Sequence, residues 1–189
     1  GRKNAAVVSV PANSSVPFTV ELGGNVKPWS PENPFLYDIR YELIEIDGTV
    51  SDVVTAYAGL RKIHIEGNQI YLNNQRIFLR LVLDQGFYPE GIWTAPTDAD
   101  LKKDIELSMA AGFNGARLHQ KVFEERFHYW ADKLGYLTWG ESSSWGTMCF
   151  SGNSVTFAAK EYWQSAFNFM SEWRQIVERD LNHPSIIAW

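Results

Sequence analysis

The chain has 189 residues, 45% hydrophobic and 21% charged, enough at roughly 100–200 residues per domain for one ordinary domain or two small ones with a real core. Seventeen Lys and Arg against 22 Asp and Glu give a net charge of -5, the wrong sign for a partner built of phosphates, so no nucleic acid is expected. No run approaches the ~18 uninterrupted apolar residues of a membrane span, and the single Cys149 excludes an internal disulfide framework or a Cys-rich zinc site.

Up to about residue 60 the sequence reads as short strands broken by turns. Ala6–Val10 and Pro17–Leu22 are strand-like, and a Pro-dense loop runs through Pro28-Trp29-Ser30-Pro31. Tyr37–Ile44 alternates apolar and polar, Asp47-Gly48 is a hairpin turn, and Val50–Tyr57 is the returning strand. Strands without helices suggest a β-sandwich, and about four strands are too few to complete one. Residues 61–76 follow as a connector of one or two hairpins: Lys62–Ile65, a Gly67-Asn68 turn, Ile70–Leu72 and then Asn73–Gln75.

From residue 77 strands and helices alternate. Ile77–Leu83 has the apolar run of a strand buried on both faces. Thr97-Asp98-Ala99-Asp100 starts a helix whose inward face carries Leu101, Ile105 and Met109, and Gly112 stops it. Phe113–His119 is a second strand. Glu124–Leu134 is a second helix with Phe127, Trp130, Ala131 and Leu134 on its buried stripe, and Tyr136–Gly140 is a third strand. Lys160–Leu181 is a long helix bearing Trp163, Phe167, Met170, Trp173 and Val177, after which Ile186–Trp189 opens a fourth strand. Strands joined through helices form a parallel sheet, either doubly wound or a (β/α)8 barrel. Asp84–Gly91 lacks the Gly-x-Gly-x-x-Gly of a dinucleotide site, and no phosphate loop occurs, so no cofactor is expected. A sandwich feeding such a sheet favours the barrel; since a whole one needs ~250 residues, residues 77–189 are expected to be its first half.

Barrel chemistry sits at the carboxyl ends of strands. That rule selects Asp84 and Gln85 after the first strand, Arg117 and His119 at the end of the second, and Glu141 with Trp145 after the third. Arg117 suits clamping a carboxylate, or is structurally paired. His119 could bond a sugar hydroxyl or shuttle a proton, although a structural role is the more common fate of a lone histidine. Asp84 and Glu141 could form a carboxylate pair, or each could accept loop amides. Trp93 and Trp145 fall in loops over the mouth, where an exposed indole would stack on a pyranose, whereas Trp139 inside a strand suits the core. His64 and His128 are expected at the surface. No His/Asp/Glu spacing suggests a metal site.

Four stretches in order resemble glycoside hydrolase family 2, the β-galactosidase, β-glucuronidase and β-mannosidase group. Asn73–Arg80 resembles the approach to its barrel, Gly112–Arg117 its second strand, and Trp130–Glu141 its second helix and third strand. Arg179-Asp180 with Asn182–Trp189 looks like its signature. The resemblance implies the later strands of an immunoglobulin-like sandwich over residues 1–60 and the first half of a catalytic barrel. It implies a retaining exo-β-glycosidase acting on terminal β-linked sugars, the alternative being a non-catalytic carbohydrate-binding or scaffold protein on a degenerate barrel. The family's acid/base glutamate and nucleophile would both follow Trp189, so these 189 residues alone are expected to be inactive. Arg117 matches the arginine that orients the nucleophile, and Asp84 and Gln85 fall where first-strand residues contact sugar hydroxyls. Leu118-His119-Gln120-Lys121 departs from the usual Ser-His-Tyr-Pro, and the magnesium ligands of some relatives have no counterpart in 141–148. Open sheet edges imply that the rest of the barrel belongs to the same polypeptide. A homo-oligomer is left open, as is the compartment, for which only analogy with polysaccharide degraders suggests periplasm or secretion.

Overall fold

A computed structural model describes residues 4–143 and 159–189. Residues 37–58 form an antiparallel hairpin, β1 (Tyr37–Ile44) with β2 (Val50–Ala58). Its turn is locked by Asp47, whose Oδ1 accepts from Thr49 N and Oγ1 at 2.9 and 2.6 Å. Ala6–Val10 and Pro17–Leu22, expected as strands, take no strand pairing. A strand needs a neighbour to receive its backbone hydrogen bonds, and the described residues offer none: Val7 is 89% and Val10 53% exposed.

Three short strands follow: β3 (Ile63–Glu66), β4 (Gln69–Leu72) and β5 (Gln75–Ile77), an antiparallel meander. Asn73 and Asn74 both adopt positive φ, which lets two residues turn the chain between β4 and β5. The expected single strand 77–83 is divided. Ile77 ends β5, and β6 (Leu81–Asp84) starts a different sheet. Asn114 holds the bend, accepting Arg80 N through Oδ1 at 2.7 Å and donating Nδ2 to Phe78 O at 2.8 Å.

The third sheet is parallel, in the order β6, β7 (Gly115–Leu118), β8 (Leu137–Trp139), β9 (Ile186–Ala188). Its helices are α1 (Asp98–Ala110), α2 (Glu125–Leu134) and α3 (Ala159–Asp180). Thr97 caps α1, its side chain accepting from Asp100 N. On the helix-covered face Ala116 and Leu118 join Leu101, Ile105, Phe123, Phe127 and Tyr136 in the main core, with Val82 packed against it. Strand alternation sends Leu83 and Arg117 to the opposite, inner face. Trp139, in register with Arg117, is 38% exposed there rather than in the core. Met109, expected inward on α1, is 39% exposed; Ser108 takes the inward place, its Oγ 2.6 Å from the Tyr136 hydroxyl. Phe167 and Met170 on α3 are exposed too, meeting no core among the described residues.

A second core joins the modules. Trp29, Leu72 and Leu137 are buried together, with Leu36, Ile77, Leu79 and Ile187 packed around them. The Trp29 indole N–H donates to Asp132 O at 2.8 Å and its backbone N–H to Leu60 O at 2.7 Å. Gly135 ends α2 in the left-handed region at φ 77°, where a Cβ would lie 2.3 Å from Pro31 O. Only glycine allows both the turn and the approach of the Trp29 segment. Among the described residues no helix is long and apolar enough to cross a membrane.

Candidate functional site

The carboxyl ends of β6, β7 and β8 bring Gln85, Arg117, His119 and Glu141 together. Arg117 lies on the inner face, and its Nε donates to Glu141 Oε2 at 2.5 Å. Gln120 N donates to Glu141 Oε1 at 3.2 Å. Burial raises the Glu141 carboxyl, but the bond and charge of Arg117 outweigh it, with help from Gln120 N–H and His119, and hold the group below its ordinary value. Glu141 is therefore an anion at neutral pH. Gln85 Nε2 can only donate, so His119 Nδ1, 3.0 Å away, accepts. On the other side of the ring, Nε2 lies 3.4 Å from Gln120 Nε2 and 4.0 Å from Glu141 Oε1. A fork-shaped cation, an anion, an imidazole and an amide thus line one wall of an open sheet end, a set suited to hydroxyl-rich ligands.

Asp84 does not join them. It shares the helix-facing side of β6 with Val82, and its Oδ1 accepts Gly86 N at 2.7 Å. Burial raises its carboxyl against the pull of Gly86 N–H and Lys121. Asp104 of α1 shares a hydrogen bond with it and is pushed up to about 6, first by burial and then by the Asp84 charge. Two carboxyls this close cannot both ionise freely, so the pair shares a proton at mildly acid pH. Asp84 and Glu141 have separate partners, and no described contact links them. Trp145 lies outside the described residues.

The loop after β6 is held from beneath by Lys121. Its Nζ donates to Trp93 O at 2.8 Å and Gly86 O at 3.1 Å, and lies 4.9 Å from the Phe123 ring centre. Tyr88 and Ile92 exchange backbone bonds of 2.8 and 2.9 Å across the loop. Ile92 takes φ 58°, a conformation costing a β-branched residue of order 1–3 kcal/mol.

A buried polar network ties the signature segment to both modules. Asp132, 0% exposed, accepts the Tyr57 hydroxyl at 2.8 Å and His183 Nδ1–H at 2.6 Å through Oδ2, and Ser185 N at 2.9 Å through Oδ1. Arg61 donates to Pro184 O at 3.0 Å and to Ile186 O. A Cβ on Gly59 would lie 2.4 Å from Pro184 Cγ, so the end of β2 presses directly on this turn. His128, expected at the surface, is 2% exposed, its ring 5.2 Å from that of His183. It sits one position beyond Phe127, on the side of α2 that also carries Asp132.

Sequence reasoning passed over Asp104, Asp132 and Tyr57. Asp104 had a signal: with Leu101, Ile105 and Ser108 it completes an i, i+3, i+4, i+7 inward stripe. Among the described residues no group of three or more His, Cys, Asp or Glu could hold a metal ion.

Parallel strands with helices outside, a polar wall at their carboxyl ends and antiparallel β segments in front define the class as part of a (β/α)8-barrel protein. The chain belongs to glycosyl hydrolases family 2: that family's model matches residues 2–61 and its TIM barrel domain matches residues 63–189. It is 31% identical over 176 residues to a β-galactosidase of Pseudoalteromonas haloplanktis, covering 93% of this chain and 16% of that protein. A Lactococcus lactis β-galactosidase is 31% identical over 174 residues, 91% of this chain and 17% of the relative. Among solved structures, a β-glucuronidase from Ruminococcus gnavus superposes with TM-score 0.71 at 25% identity, covering 87% of this chain and 27% of that one. A family 2 member from Bacteroides cellulosilyticus gives 0.68 at 26% identity, over 85% and 20%. The chain spans less than a fifth of the length of the curated relatives it matches.

Proposed function

We propose that the chain is part of a retaining exo-β-glycosidase that removes terminal β-linked sugars of the galactoside or glucuronide kind. Gln85, Arg117, His119 and Glu141 form one wall of the sugar pocket, and the acid/base and nucleophilic carboxyls come from polypeptide following Trp189. Retention needs one carboxyl to protonate the leaving oxygen and a second to attack the anomeric carbon. Glu141 suits neither task while Arg117 holds it, as it is already neutralised by a short ion pair. Its place is to orient Arg117, whose guanidinium has donors left over for a substrate or a second carboxylate.

The observation that carries this reading is the Arg117–Glu141 pair at the strand ends of a chain that family 2 models match throughout. The test is turnover by the full-length protein of a panel of aryl β-glycosides, with the first-formed anomer read by NMR. Hydrolysis with the β-anomer released first is expected, and Arg117→Ala should lower kcat/KM by about 100-fold or more, the size of one lost transition-state electrostatic contact. Release of the α-anomer first would overturn retention. A full-length protein that binds sugars without cleaving any would favour the non-catalytic alternative.

A further inference from the structure

Phe87 and Trp93 stand on the loop that leaves β6 through Gln85 of the polar wall. Their rings stack with centres 6.3 Å apart and planes at 19°, and both are exposed, at 64% and 49%. Trp93 is the anchored member of the pair, tied through its indole N–H to Gln85 O at 3.2 Å and through its carbonyl to Lys121 Nζ. Gln85 is in turn bonded to His119, so the aromatic pair and the polar wall form one connected unit. The unfavourable backbone of Ile92 immediately precedes Trp93, and strain of this kind persists where surrounding contacts over-determine a geometry.

We propose that Phe87 and Trp93 form a stacking platform for the sugar ring on the leaving-group side of the scissile bond. The proposal rests on the glycosidase reading above. An exo-acting pocket takes the terminal sugar first, against the hydrogen-bonding groups on its wall, and the rest of the substrate trails outward past the loop. What trails past is a pyranose, with an apolar C–H face that lies flat on aromatic rings and hydroxyls at its rim. The platform matches that C–H face: two near-parallel, exposed rings.

The test compares two substrates of one sugar in the full-length protein: the fluoride, whose leaving group cannot stack, and the 1→4-linked disaccharide with glucose, prepared for β-D-galactose and β-D-glucuronic acid. Trp93→Ala and Phe87→Ala should each lower the ratio of kcat/KM for disaccharide to that for fluoride by about 3- to 10-fold, the worth of one lost aromatic contact. Trp93→Phe should restore most of it. An unchanged ratio, whether neither substrate is affected or both fall together, would overturn the platform; the second pattern would mean that another part of the polypeptide covers the pair. Should Trp93→Ala fail to fold, Phe87→Ala carries the same comparison. A wild-type protein inert on every substrate would refute the glycosidase reading alone. The platform would then be judged by saturation-transfer NMR with lactose: loss of the glucose-ring signal in Phe87→Ala supports it, and an unchanged signal overturns it.

Discussion

Replacing Asp132 by Ala should be among the most damaging single changes in the described structure. The carboxylate is wholly buried and is the common acceptor for Tyr57, His183 and Ser185. Removing it takes the common acceptor from three donors in three places, the end of β2, the turn after α3 and the start of β9, and leaves Tyr57 and His183 only each other at 3.2 Å. A buried donor left without its acceptor costs about 1–3 kcal/mol, and Tyr57 and His183 are only part-buried, so water recovers some of that. The expected loss is about 3–5 kcal/mol, the sum of three such donors after that recovery, against a total stability of about 5–15 kcal/mol. Tyr57→Phe removes one bond of the set and should cost about 1 kcal/mol. Urea unfolding followed by tryptophan fluorescence measures both, since Trp29 bonds to the backbone of Asp132 itself. A loss for Asp132→Ala no larger than that for Tyr57→Phe would refute the assignment of a shared acceptor.

Two groups shifted by burial should tilt stability with pH in opposite directions. His128 is held down to about 4, chiefly by burial, from an ordinary 6.5, so its contribution is complete above pH 6.5 and declines as pH falls towards 4. His128→Gln should flatten that decline, whose full size is of order 3 kcal/mol; a slope unchanged in urea midpoints between pH 7.5 and 4 would count against it. Asp104, pushed up to about 6, favours the folded state when protonated and loses that benefit as pH rises from 3.8 to 6. Asp104→Asn should therefore raise stability at pH 7.5 by about 1–2 kcal/mol, discounted for its partial exposure, with no gain at pH 3.5. Gly135→Ala should cost about 2–4 kcal/mol, from its left-handed backbone plus the clash with Pro31 O. Gly112→Ala is the control, also left-handed at φ 94° but opening onto free space, and its melting temperature should fall far less.

Periodicity made the barrel portion readable because each inward stripe had to match a helix or strand repeat; Leu101 with Ile105 and Phe127 with Ala131 are buried where the spacing puts them. Strand ends selected Gln85, Arg117, His119 and Glu141, and the structure groups those four. Asp84 came up by the same rule, yet alternation along β6 turns it toward α1, a distinction set by one residue of register. The break between Ile77 and Leu81 was not legible, because the residue that enforces it, Asn114, lies 34 positions from Arg80. Asp132 and His183 were hidden for the same reason, as their pairing spans 51 residues and leaves no local pattern. The strands expected at Ala6–Val10 and Pro17–Leu22 had the right composition, but composition cannot supply a pairing partner.

Trp29 belongs by sequence to the segment the first family model covers, and by contact to the floor of the barrel. Anyone excising the barrel for grafting or domain exchange at the boundary between the two family matches would remove that indole along with the sandwich. The excised piece would keep a greasy hole lined by Leu72 and Leu137 and a carbonyl on Asp132 with nothing to receive. The transferable unit therefore starts upstream of Trp29, and shuffling experiments that respect this seam should yield stable hybrids where cuts at residue 62 yield aggregates.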